Sequence, residues 1–199
     1  MPIRPAAAVL AVLLSACDSG SPDTGTCTWQ CPVAIPRDKC VGAPKLGTTT
    51  ACAVGDPLPA RVLTDCCGRR IPLIDVVCGA RATVIELGAG WCKECRESAP
   101  QLGRWATDYG PRGLAVVSVL KETDSAGSPA TASFCACWGA DYDATHTVVI
   151  DPSDVITTAC SGGSLPTTLV VDEDGTIRAR VTGARLTEVE TAFSELLAP

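Results

Sequence analysis

Histidine and methionine are almost absent from this 199-residue chain: His146 is its single histidine and Met1 its single methionine. Handing soft metal ions between partners takes thiolates backed by imidazole or thioether ligands. The composition therefore weighs against metal handling, and neither a cofactor nor a metal is expected. Basic charge is also scarce, with 16 Lys and Arg against 22 Asp and Glu for a net charge of −6. Such a chain has no field to draw in polyanions, which argues against nucleic acid as a partner and against electrostatic binding to anionic lipid. Long apolar runs are missing too. The run AAAVLAVLL from Ala6 to Leu14 is far short of the roughly 20 residues a membrane-spanning helix needs.

That run follows Arg4 and ends in small residues, the pattern of a secretory signal. LSAC, residues 14–17, resembles the lipobox of bacterial lipoproteins, in which the cysteine is acylated and becomes the mature N-terminus. The resemblance implies a signal peptide over residues 1–16 and a lipid on Cys17; the competing reading is ordinary cleavage that leaves Cys17 as a thiol. The mature chain then has 183 residues, with 15 basic and 22 acidic side chains and a net charge of −7. Residues 17–25 are mostly Ser, Gly, Asp, Thr and Pro, too polar to bury surface, and read as a flexible tether. The expected location is the bacterial periplasm or cell envelope, outside the cytoplasm and lipid-anchored to a membrane.

What the chain has in abundance is cysteine, 13 in all. Setting Cys17 aside leaves twelve, an even number in a chain with an export signal, so structural disulfides are the default. Ten of them are candidates for that role: Cys27, Cys31, Cys40, Cys52, Cys66, Cys67, Cys78, Cys135, Cys137 and Cys160. Connectivity does not follow from sequence. Residues 26–53 carry four of these among prolines and glycines with no helical or strand period, and read as a cystine-rich extension. A zinc site is the rival there, but CTWQC has three intervening residues and no histidine nearby. FCACW, residues 134–138, admits a second redox pair, a relay or half of a thiolate metal site; a structural bond from Cys135 or Cys137 to Cys160 is the plainer expectation. Adjacent Cys66 and Cys67 should take different partners, with Cys78 and Cys52 as candidates.

From residue 54 to 199 the pattern is that of an α/β domain. ATVIEL (82–87) and GLAVVSVL (113–120) are short β-branched runs, as buried strands are. Between them Ala99, Leu102, Trp105, Ala106 and Tyr109 recur at helical spacing until Gly110-Pro111, which gives a βαβ unit. HTVVID (146–151) and TTLVVDEDGTIRARV (167–181) add strands, the latter folded back at Asp174-Gly175. A stripe from Leu186 to Leu197 closes the chain as a helix.

The chemistry sits in WCKEC, residues 91–95. Cys92 follows a strand and a glycine turn and stands where a helix begins, facing unpaired N–H groups and the positive end of the macrodipole, which favour thiolate. Cys95 is one turn deeper on the same face, placed to attack a mixed disulfide formed by Cys92. Lys93 and Glu94, then Arg96 and Glu97, are charge pairs whose effects cancel. Glu86 is a carboxylate inside an apolar strand six residues before Cys92. His146 has the plain role of capping a strand end.

These motifs resemble the thioredoxin superfamily, and more closely the thioredoxin-like lipoproteins and cytochrome c maturation proteins of the TlpA/ResA type, the redoxins. The likeness runs through VGDPLP, WCKEC with Pro100, GLAVVSV and SLPTTLVVDEDGTI. It implies a thioredoxin-like fold, a central mixed sheet flanked by helices, extended here by the cystine-rich segment. It implies thiol–disulfide oxidoreductase activity with Cys92, Cys95, Glu86 and Pro166 as catalytic-site residues, Pro166 in a cis peptide that shapes a substrate groove, and Glu86 as the acid that serves the inner cysteine. It implies protein thiols and disulfides as partners, among them a membrane electron donor and an exported client. TlpA-type proteins often carry a Glu two residues before the helix proline; Ser98 stands there instead. The alternatives are a metal-handling chaperone, as in Sco-type relatives, and a redox-inert domain held by a permanent Cys92–Cys95 bond.

Overall fold

The computed structural model describes residues 27, 29–31, 44–48 and 52–199. The segments expected to be a signal peptide (1–16) and a tether (17–25), with the expected lipid-bearing Cys17, and also Cys40, lie outside the described residues. The rest form one seven-stranded mixed sheet: β1 (Val62–Asp65), β2 (Arg70–Pro72), β3 (Ala82–Gly88), β4 (Leu114–Leu120), β5 (Thr147–Ile150), β6 (Thr167–Asp172) and β7 (Ile177–Thr182), in the spatial order β2-β1-β5-β4-β3-β6-β7. β3, β4 and β5 run parallel at the centre, where burial on both faces suits their unbroken apolar sequence, and antiparallel strands flank them on either side.

Helices cover both faces. On one, Val84, Val116 and Val170 pack with Leu102 and Trp105 of α2 (Lys93–Tyr109) and Val189 and Phe193 of α5 (Leu186–Leu196). On the other, Ile85, Val117 and Leu169 pack with Leu73, Val76 and Val77 of α1 (Leu73–Val77) and with Cys160 of α4 (Thr157–Ser161). The two sets are adjacent residues of the same strands, the period-2 alternation of a sheet filled from both sides. The turn at Asp174-Gly175 joins β6 to β7: Gly175, at φ +84°, donates its N–H to Asp172, and the Asp172 carboxylate accepts from the backbone of Asp174 and Thr176.

The cystines depart from expectation. Cys160 bonds Cys52, not Cys135 or Cys137. Cys66 and Cys67 do take different partners, but these are Cys135 and Cys31, not Cys78 or Cys52. Cys27 bonds Cys137, and Cys78 is disulfide-bonded as well. The physical reason is the β1–β2 turn, which brings Cys66 and Cys67 beside α3 (Ala132–Asp141), the helix that carries Cys135 and Cys137. The described extension is thus bonded into the domain. Trp29 donates its indole N–H to the Ala144 carbonyl, Gly47 pairs with Pro59, and Cys52 lies in the core.

Three of these cystines form a ladder. With Cys31–Cys67 and Cys66–Cys135 in place, the Cys27–Cys137 bond, 110 residues apart in sequence, closes a ring of only about ten residues. Loop-closure entropy scales with the logarithm of ring size. Removing Cys27 and Cys137 together by alanine substitution is therefore predicted to cost ~3 kcal/mol, against ~5 kcal/mol for an isolated bond of that sequence span. Urea unfolding without reductant measures the difference, and a loss near the larger figure would mean the ladder does not act as a unit.

Candidate active site

Cys92 is the N-cap of α2, with extended backbone at φ −74° and ψ 110°. Its sulfur accepts a hydrogen bond from the Cys95 N–H at 3.2 Å and is joined to the Cys95 sulfur in a disulfide. The first turn of any helix leaves N–H groups unpaired, so a sulfur at this cap is the natural acceptor for one of them. Cys92 keeps 5% of its surface exposed, while Cys95 is fully buried. The structure thus brings Cys92 and Cys95 together, with any access to the pair from the Cys92 side.

Glycines make the turn before them possible. A Cβ on Gly88 would sit 3.2 Å from the Cys95 sulfur, and one on Gly90 would collide with the Phe134 ring and the backbone of Thr123 and Asp124. The turn is gripped through its backbone: Gly90 N–H donates to the Glu122 carbonyl, Trp91 N–H to the Thr123 carbonyl, and the Arg96 guanidinium to the Gly90 carbonyl. Trp91 remains 38% exposed, with its indole N–H on the Glu122 carboxylate. Lys93 and Glu97 pair with each other in solvent at 3.4 Å, and Glu94 accepts from the Ala184 N–H. The charges around the dithiol are therefore engaged locally.

Glu86 lies on the same face of β3 as Gly88, the face that α2 covers. Only 4% of it is exposed, and burial pushes its carboxyl up from 4.5 to about 8, partly offset by a hydrogen bond from Ser98. That bond, Ser98 Oγ to Glu86 Oε2 at 2.7 Å, was not legible in the sequence. The i to i+3 spacing of Cys95 and Ser98 puts the two on one helix face, a local hint that does not itself point to Glu86. The serine noted as a departure from the TlpA pattern is thus the residue that meets the strand acid.

Across the sheet Glu86 is paired with Ser118 of β4 and Thr168 of β6. Ser118 Oγ is 2.9 Å from His146 Nε2. His146 directly precedes strand β5 and is buried there, and burial lowers its imidazole from 6.5 to about 4. It is neutral at physiological pH and adds no charge to the site. The Leu165–Pro166 peptide is cis, the Pro166 carbonyl accepts from Gly183 N–H at 2.8 Å, and Leu165 packs against the cluster that holds Cys92 and Cys95.

The AhpC/TSA family profile matches residues 54–180. Thiol-disulfide oxidoreductase ResA of Geobacillus kaustophilus (strain HTA426) is 29% identical over 141 residues, covering 70% of this chain and 75% of the relative. ResA of Bacillus anthracis is 24% identical over 147 residues, covering 73% of this chain and 79% of the relative. Among solved structures, a putative thiol:disulfide interchange protein DsbE from Chlorobium tepidum superposes with a TM-score of 0.63 at 24% identity, covering 74% of this chain and 100% of that one.

Proposed function

The chain belongs to the AhpC/TSA family and is a thioredoxin-like thiol–disulfide oxidoreductase; from that premise we propose that it is exported, tethered to a membrane through Cys17, and reduces or exchanges disulfides in other exported proteins through Cys92 and Cys95. The Cys92 thiolate attacks one sulfur of a substrate disulfide, forming a mixed disulfide and releasing the other substrate sulfur as a thiolate, which takes a proton from water. Cys95 then gives its proton to the Glu86 carboxylate and attacks the Cys92 sulfur. The Cys92–Cys95 bond forms, the second substrate sulfur leaves with its electron pair, and Glu86 passes the proton on. Two electrons go from the dithiol to the substrate, and a reduced thiol partner returns them. Pro166, cis and next to Leu165, shapes the groove in which an extended substrate segment lies.

The observation that carries this reading is the buried carboxyl of Glu86, on the strand face and two residues before the glycine that seats Cys95. A carboxyl in a core is costly. A permanent structural cystine has no use for it, whereas a cysteine that must lose and regain a proton does.

The role assignment is tested by alkylation. In protein reduced mildly enough to open Cys92–Cys95 alone, limiting iodoacetamide is predicted to label Cys92 at least about tenfold faster than Cys95, since Cys92 holds the helix N-terminus and the outer position. Peptide mapping by mass spectrometry reads the ratio; preferential label on Cys95 would reverse the two roles.

A further inference from the structure

Ser98 stands on α2 three residues beyond Cys95, with its side chain fully buried against β3. Its hydroxyl oxygen is 2.7 Å from Glu86 Oε2 and 3.0 Å from the carbonyl oxygen of Cys95. A serine hydroxyl has one proton to donate and two lone pairs to accept with. It can therefore donate to only one of these oxygens at a time. With Glu86 ionised, the serine proton points at the carboxylate. With Glu86 protonated, the carboxylic acid donates to Ser98 Oγ and the serine proton turns to the Cys95 carbonyl. Rotation about one C–O bond satisfies both protonation states, and no heavy atom has to move.

We infer that Ser98 is a positioning residue of the redox site, which holds the Glu86 carboxyl on the Cys95 side of β3 and sets its proton affinity by reversing the direction of one hydrogen bond. The inference rests on the reading that Glu86 takes the proton of Cys95. The other groups around the carboxyl leave this task to Ser98. From β4 it is paired with Ser118, whose hydroxyl is engaged by the neutral His146, and from β6 with Thr168. From α2 the titratable group beside Ser98 is the Cys95 thiol, here in its disulfide. Burial raises the proton affinity of Glu86 and the Ser98 bond opposes it, with no neighbouring charge contributing. A hydroxyl that donates to the carboxylate favours the ionised form, the form able to accept a proton.

The test is a carbon-13 NMR titration of the Glu86 carboxyl in the full, oxidised chain, compared for the native protein, Ser98→Ala and Ser98→Thr. The rate at which Cys95 resolves a mixed disulfide is followed against pH in the same proteins. Ser98→Ala is expected to move the Glu86 midpoint upward by at least about one pH unit, the roughly tenfold change in proton affinity that a hydrogen bond to a charged group carries. The pH profile of resolution moves with it, and Ser98→Thr, which keeps the hydroxyl, restores both. A residue that only packs would leave the midpoint where it was, and an unmoved midpoint in Ser98→Ala overturns the inference. A midpoint that moves while resolution ignores both pH and Glu86→Gln supports the tuning by Ser98 and overturns the proton role of Glu86.

Discussion

Cys95→Ala protein, mixed with a protein disulfide, accumulates as a covalent adduct through Cys92, and its turnover falls by roughly a thousandfold or more. The reason is the geometry of the pair. Cys95 is held one helical turn from Cys92, its sulfur seated against Gly88, so resolution is an intramolecular attack. Well-oriented intramolecular reactions reach effective concentrations of about 10⁵ M and above, which no external thiol at millimolar concentration replaces. Cys92→Ala gives the complementary result. It forms no adduct, because Cys95 is fully buried and lacks the N-cap position that stabilises thiolate. Non-reducing gels and intact mass spectrometry of both variants against one disulfide substrate decide the matter. Adduct through any other cysteine, or turnover surviving in Cys95→Ala, would remove the two-step mechanism.

Replacing Glu86 by Gln separates the two steps and changes stability in a pH-dependent way. Resolution by Cys95 slows by about a hundredfold or more, the scale of lost general acid–base catalysis, while the first attack by Cys92 changes little. In the native protein resolution quickens as Glu86 ionises, with its midpoint at the value of about 8 that burial imposes. In the variant that inflection disappears. The stability effect follows from the same shift. Glu86 is protonated more tightly in the folded chain than in the unfolded one, from 4.5 to about 8, so its penalty on the fold is absent below 4.5. The penalty grows as pH rises toward 8 and is constant above, on the order of 5 kcal/mol at 1.36 kcal/mol per pKa unit. Glu86→Gln therefore leaves acid stability unchanged and stabilises the protein increasingly from pH 4.5 to 8. Stopped-flow rates of the two steps and denaturation curves at pH 4 and pH 9 measure both. Unchanged resolution together with unchanged alkaline stability would return Glu86 to a bystander.

Much of the architecture was readable along the chain because its signals are local. The runs 82–87 and 113–120 are β-branched and apolar, and they are β3 and β4. The 3.6-residue stripe from Ala99 to Tyr109 is most of α2, and Gly110-Pro111 marks its end. Short elements escaped. β2 has three residues and α1 and α4 five each, too few for a period to show. α3 shows no helical stripe, since ASFCACWGAD is apolar on nearly all sides and its face is chosen by what it packs against.

The site divides along the same line. Cys92 as a helix cap, Cys95 one turn in and Glu86 as a misplaced acid all follow from nearest neighbours and strand periodicity, which act over a handful of residues. The cystine partners do not. Cys27 and Cys137 are 110 residues apart, and Cys52 and Cys160 are 108 apart; each pair meets only in the folded chain, where Trp29 and Cys31 pack against the cluster of α3 and Cys52 shares a core with Cys160. Ser98 belongs to the same class. Its hydroxyl reads as an ordinary helix residue until α2 is laid across β3, when it becomes the hydrogen-bond partner of Glu86. Local sequence governs backbone conformation through sterics and short-range hydrogen bonds, whereas the proximity of distant side chains depends on how whole elements pack, and that was settled by the burial of their shared apolar faces.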